Sequence, residues 1–164
     1  MNAKTWFVLG ASLGVLAVAA GTFGAHKLPD YLRAAGAESE MTKRLDWWET
    51  GVRYQMYHAL ALFAVAWIAD RRKSWLSPLA GGSLFLGTLI FSGCLFALAL
   101  TGQRWFGMIV PVGGGFFILG WIFLAMAGVG LVAAPDGRKL TARERLLAES
   151  KPAAESAEAG DSEA

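Results

Sequence analysis

The sequence predicts an all-α fold, an integral membrane bundle of four transmembrane helices. Three observations carry that prediction. Four apolar runs reach or approach the ~20 residues of helix needed to cross a hydrocarbon core about 30 Å thick. Hydrophobic residues make up 55% of the chain and glycine occurs 20 times, a mixture that bundles of membrane helices favour. Six of the seven tryptophans (Trp6, Trp47, Trp48, Trp67, Trp75, Trp105) fall near the ends of the apolar runs, where indole rings prefer the water–lipid interface.

The runs are Thr5 to Ala25, Trp48 to Ala69, Leu76 to Thr101 and Phe106 to Ala134. The first resembles a signal peptide in having Lys4 before it and Ala19-Ala20-Gly21 near its end. Its apolar stretch is longer than a usual signal core and continues through Thr22 to Ala25, so it reads as a span. The first connection, His26 to Trp47, is long and nearly charge-balanced. Within it Pro29 to Gly36 reads as a short helix, with Pro near the start and Gly past the end. Thr42 is the expected cap of the second membrane helix. The second and third connections, Asp70 to Trp75 and Gly102 to Trp105, are short, so the last three spans should be antiparallel neighbours. Trp121 alone sits in mid-span, where its ring N–H needs a partner on another helix.

Residues 1–134 thus form the transmembrane domain and 135–164 a polar extension. In that extension Thr141-Ala142-Arg143-Glu144 fits a capping box for a short surface helix, and the Ala, Glu and Ser beyond Glu149 are expected to be disordered. Lys4, Arg71-Arg72-Lys73, Arg138, Lys139, Arg143 and Arg145 lie on one side of the spans; Lys27, Arg33, Lys43, Arg44 and Arg104 lie on the other. The small excess places both termini in the cytoplasm by the positive-inside rule.

Membrane helices associate through close contacts of small residues and through polar contacts. The first span carries a seam of Gly10, Gly14, Ala17, Gly21 and Gly24. The third carries Ala80, Ser83, Gly87, Cys94, Ala97 and Thr101, and the fourth Gly113, Gly120 and Ala127 at a seven-residue period. Such stripes predict a left-handed bundle. Pro111 followed by Gly113-Gly114-Gly115 predicts a kink in the last helix.

Formal charge is only +2, with basic residues at span ends, so nothing resembles a nucleic-acid footprint. The single cysteine, Cys94, reads as a packing residue and excludes an internal disulfide or a CxxC site. The strongest intramembrane polar set is Tyr54, Gln55 and His58, expected to share one face of the second span, with Tyr54 and Gln55 fixing the imidazole tautomer. His26 sits at the interface. It does not complete a bis-His haem site, because His58 lies roughly 9 Å of helix rise deeper. No carboxylate lies inside a span to build a metal site, and no catalytic constellation is visible. No cofactor is expected.

Four ordered motifs resemble the domain-of-unknown-function family 423: Gly21-Thr22-Phe23-Gly24-Ala25-His26; Glu49-Thr50-Gly51-Val52-Arg53-Tyr54-Gln55-Met56-Tyr57-His58 with Ala59-Leu60-Ala61-Leu62; Phe91-Ser92-Gly93-Cys94-Leu95 with Leu98-Ala99-Leu100-Thr101-Gly102; and Pro111-Val112-Gly113-Gly114 with Gly120-Trp121. The resemblance covers approximately residues 5 to 134. It implies a small inner-membrane protein, with relatives in animal cells and no assigned activity, catalytic residue or cofactor. Gly51 departs from the family's usual Ala, and the longer first connection and the tail lie outside its core.

These readings lead to a non-enzymatic accessory, assembly or scaffold component in the lipid bilayer, with a membrane-protein partner or a second copy of itself as its associate. The alternative is a small oligomeric channel or transporter with a polar path around His58 and Gln55. A haem-binding or other membrane enzyme is the weakest reading.

Overall fold

The computed structural model describes residues 2–132, and the tail, with its expected surface helix, lies outside them. Five α-helices follow one another: α1 Ala3–His26, α2 Leu28–Ala34, α3 Met41–Arg71, α4 Leu76–Thr101 and α5 Trp105–Val132. No strand occurs among the described residues. Each boundary has a local cause. Asn2 caps α1 by accepting from the Thr5 amide at 3.0 Å. Gly102 ends α4 in the left-handed region, φ 70°, where its amide reaches the Leu98 carbonyl at 2.8 Å. Thr42 is not a cap. A 3₁₀ turn at Glu38–Glu40 leads straight into α3, which starts one residue before Thr42 with no side-chain cap.

By length and composition, α1, α4 and α5 are apolar enough to cross a membrane, which makes three candidate spans among the described residues where four were expected. The longest helix, α3, with 31 residues, is the exception. Its run Arg53-Tyr54-Gln55 and the following Tyr57-His58 dilute its hydropathy.

Packing runs in the order α1, α3, α4, α5, with α3 against both α1 and α4, and α4 between α3 and α5. One core cluster joins Trp6, Leu13, Leu62, Val65, Leu84 and Phe117 across all four long helices. A second lies at the other end, where Leu28 and Leu32, one turn apart and fully buried, hold α2 over Trp48 and Ala99.

The small-residue stripes account for the close approaches, with one correction in α1. Its buried line is Trp6, Gly10, Leu13 and Ala17, a four–three–four spacing that keeps a seam facing one partner. A Cβ on Gly10 would stand 2.9 Å from the Ala59 carbonyl oxygen, and one on Gly24 would stand 2.6 Å from Trp48. Gly21 makes an ordinary 3.5 Å approach to Val52. Gly14 meets nothing within 4 Å. It falls a step of four from Gly10, whereas the seam takes the step of three to Leu13, so Gly14 flanks the contact.

On α5 the expected Gly113, Gly120 and Ala127 are buried, with Phe117 and Leu124 interleaved. On α4 the buried surface is wider than a stripe, because α4 is covered from both sides. Ala80 and Gly87 are buried, but Ser83, Cys94 and Ala97 are only half-buried and Thr101 is exposed. Helix α5 runs unbroken through Pro111. The proline still leaves the Gly107 carbonyl without its i+4 amide.

Candidate functional site: the polar hub of α3 and its aromatic groove

An imidazole or amide inside a hydrocarbon layer must find its hydrogen bonds within the protein. The structure shows where each one goes. His58 is 4% exposed and Gln55 6%. His58 Nδ1 lies 2.7 Å from the Tyr54 carbonyl oxygen. A carbonyl only accepts, so Nδ1 carries the proton and Nε2 is left as an acceptor. Trp121 Nε1 donates to that nitrogen at 3.4 Å. The mid-span tryptophan thus has the partner on a neighbouring helix that it requires, and both nitrogens of a neutral imidazole are satisfied. The His58 ring lies flat on Phe117, with centroids 3.5 Å apart and planes 2° apart.

Tyr54 does set the tautomer, but through its backbone carbonyl and not its phenol. Its ring instead packs against Phe91 at 4.7 Å, with His58 and Phe117 both at 6.1 Å. Gln55 takes no part in it. Its Nε2 donates to the Leu13 carbonyl of α1 at 3.0 Å. Residues three apart on a helix are separated by about 60° around its axis. That divergence turns Gln55 toward α1 and His58 toward α5, so the expected shared face is split between two neighbours. His26 is exposed at the end of α1. Among the described residues no group of three or more His, Cys, Asp or Glu is gathered as a metal site would require.

Two further bonds complete the pattern. Ser92 Oγ on α4 donates to the Gly51 carbonyl at 2.8 Å, and Trp48 Nε1 donates to the Ala20 carbonyl of α1 at 2.8 Å. Helix α3 is therefore hydrogen-bonded through side chains to each of α1, α4 and α5. Ser92 lies within the Phe91-Ser92-Gly93-Cys94-Leu95 motif, which by itself gives it no role, and Phe117 lies in none of the four motifs. Phe117 stands four residues before Trp121, a spacing that puts both on one face. The Leu13 carbonyl is an acceptor with no sequence signal at all.

Between α3 and α5 the polar hub opens on a groove of about 810 Å³. Tyr54, Tyr57 and His58 wall one side; Phe117, Ile118 and Trp121 wall the other. Gly114 lines it as well, and a Cβ there would meet nothing within 4 Å. Of the three consecutive glycines, Gly113 serves the α4 contact and Gly114 leaves the groove open.

The family described as "Protein of unknown function (DUF423)" matches residues 20–114, more than half of the 164 residues. The chain belongs to the DUF423 family. The UPF0382 membrane protein YwdK of Bacillus subtilis is 42% identical over 131 residues, covering 77% of this chain and 97% of that one. The UPF0382 inner membrane protein YgdD of Escherichia coli K12 is 34% identical over 131 residues, covering 80% and 94%. A UPF0382 membrane protein of Haemophilus influenzae is 39% identical over 120 residues, covering 73% and 90%. No solved structure matches this chain. The DUF423 match takes in the His58 hub, Ser92 and Gly113; Phe117 and Trp121, the α5 partners of His58, lie beyond its end. This is a multi-pass membrane protein, and the buried polar side chains among its described residues lie on α3 (Gln55, His58) and α4 (Ser77, Thr88, Ser92).

Proposed function

We propose that the protein is a non-enzymatic accessory or scaffold component of the inner membrane, crossing it four times with both termini in the cytoplasm, and that its α3–α5 groove seats a helix of a membrane-protein partner or of a second copy. The observation that carries this reading is the disposition of polar groups around α3. Gln55, Trp48, Trp121 and Ser92 each bond to a neighbouring helix, and His58 bonds to the Tyr54 carbonyl of its own helix and accepts from Trp121 of α5. A helix so satisfied crosses a bilayer despite its modest hydropathy, which supports α3 as the fourth span. The same bonds leave the imidazole with neither a vacant acceptor nor a spare donor. A polar path through His58 and Gln55 has little support, because the two side chains point to different helices.

The groove has the shape for a helix. On α5 its wall runs from Gly114 to Ala125, eleven steps along the helix or roughly 16 Å of rise. Its lining is mainly aromatic and apolar, and a small residue at Gly114 allows close backbone approach. A photo-crosslinker at Ile118, in the groove, is expected to capture a membrane protein in cells, whereas one at Val15, exposed on α1, is not. A strictly monomeric protein that forms no adduct at Ile118 would refute the reading, and proton or solute flux in liposomes above empty controls would favour transport. A reporter fused after Ala164 is expected to report the cytoplasm; a periplasmic signal would overturn the orientation.

A further inference from the structure

Among the described residues only two buried side-chain polar atoms lack a hydrogen-bond partner, Trp6 Nε1 and Ser77 Oγ. Both belong to the corner where α1 and α4 begin. Ser77 is 2% exposed and lines a cavity of about 800 Å³ there. Trp6 is 1% exposed, and its ring occupies the space a Cβ on Gly81, one turn along α4, would need. A buried polar atom without a partner costs about 1–3 kcal/mol, and Ser77, the one of the two that lines the cavity, marks it as a place where a polar ligand belongs.

The charges of the cavity say which kind. Its lining includes Lys4, Arg72 and Lys73 against one carboxylate, Asp70. Arg71 is engaged elsewhere, over the Trp67 ring at 4.5 Å. Neither Lys4 nor Lys73 makes an ion pair among the described residues; the three ion pairs present, Arg33–Asp30, Arg44–Glu40 and Arg53–Glu49, lie toward the opposite end. Two long helices also start at the cavity, through Asn2 and Ala3 of α1 and through Ser74 and Ser77 around the start of α4. Helix N-termini favour anions.

An apolar groove of about 410 Å³ shares Ala3, Lys4 and Asp70 with this cavity and continues along Phe7, Phe63, Ala66 and Trp67. A soluble anion has no use for such a groove, whereas a lipid places its phosphate in the first and an acyl chain in the second. We propose that this corner binds the phosphate of an anionic phospholipid, with Lys4 and Lys73 as counter-charges and the buried Ser77 hydroxyl as donor.

The test uses the full-length protein in phosphatidylcholine vesicles containing phosphatidylglycerol, re-extracted in mild detergent, with retained lipid measured by mass spectrometry. Phosphatidylglycerol should be enriched over its share of the bilayer. Lys4→Gln and Lys73→Gln should each reduce the enrichment about fivefold, the scale of one basic residue at a membrane surface. Ser77→Ala should reduce it too while leaving the thermal midpoint in lipid-free detergent unchanged or higher, since it removes a buried orphan. Arg33→Gln, at the other end, should retain the lipid. Absence of enrichment in the parent protein overturns the proposal. Loss in the lysine variants with none in Ser77→Ala also overturns it, because that is surface charge alone. Thermal protection by inorganic phosphate that these variants lose, with no lipid retained, would assign the site to a soluble phosphate and overturn the lipid assignment.

Discussion

Replacing Gly113 by Ala should separate α4 from α5, and replacing its neighbour Gly114 in the same way should not. At Gly113 the new Cβ would lie 2.6 Å from the Phe91 backbone nitrogen, 2.9 Å from its Cα and 2.8 Å from its Cβ. These atoms belong to the α4 main chain and its first side-chain carbon, so no rotamer change relieves the contact. Ordinary carbon contacts fall near 3.5–4.0 Å, so the helices must part by roughly 1 Å, and a gap of that order forfeits about a quarter to a half of each pair's dispersion energy. The same seam includes the close contacts of Gly87 with Phe117 and of Gly120 with Leu84, which the separation would loosen. Overpacking of this kind costs about 1–3 kcal/mol, offset by about 1 kcal/mol of helix propensity gained on leaving glycine, for a net loss centred on about 1 kcal/mol. At Gly114 nothing stands within 4 Å, so Ala should be neutral or more stable by up to about 1 kcal/mol. Equilibrium unfolding of the purified protein in mild detergent, followed by tryptophan fluorescence, measures both. Equal stability of the two variants would show that the α4–α5 approach is not set at Gly113.

The same logic separates Gly10→Ala, where the Cβ meets the Ala59 carbonyl at 2.9 Å, from Gly14→Ala, where it meets nothing; only the first should lower the unfolding midpoint. His58→Leu should lose about 1 kcal/mol, the scale of an interhelical bond in a membrane, while His58→Gln keeps most of it. Trp121→Phe should lose a similar amount, and a double-mutant cycle with His58→Leu that proves additive would deny the bond. The hydrogen bond from Arg44 holds the Glu40 carboxyl below its ordinary value of 4.5, assisted by the charges of Arg44, Lys43 and Arg104 and opposed by partial desolvation. A carboxylate with a depressed folded pKa stabilises the fold above its unfolded value and loses that contribution as pH falls through the folded one. Wild type should therefore lose part of its thermal stability as pH drops below 4.5, and Glu40→Gln should show a smaller change in a pH series of melts.

What could be read before the structure was whatever depends on local sequence. The ends of α1 and α4 and the start of α5 follow from run length and tryptophan placement, and α2 follows from Pro29 and Gly36. The seven-residue stripe of Gly113, Gly120 and Ala127 announced the face of α5 that meets α4. The need of Trp121 for a partner was legible because an indole N–H in mid-span has no water to bond. Seam membership was less secure. Steps of three and four differ by only 100° of rotation, and which of Leu13 or Gly14 faces α3 depends on where α3 lies.

Local sequence establishes an all-helical membrane protein of known family, the ends of α1 and α4, and the presence of polar groups on α3 that have to be satisfied. How they are satisfied is settled by the packing of the helices. Hydrogen-bond partners such as the Leu13 and Gly51 carbonyls are backbone atoms, which every residue carries and no residue type announces. That packing likewise decides that Gln55 and His58 serve different neighbours and that Gly113 closes a contact while Gly114 leaves one open. Adjacent positions on a helix point 100° apart, and what stands opposite each is set by the packing of helices distant in the chain.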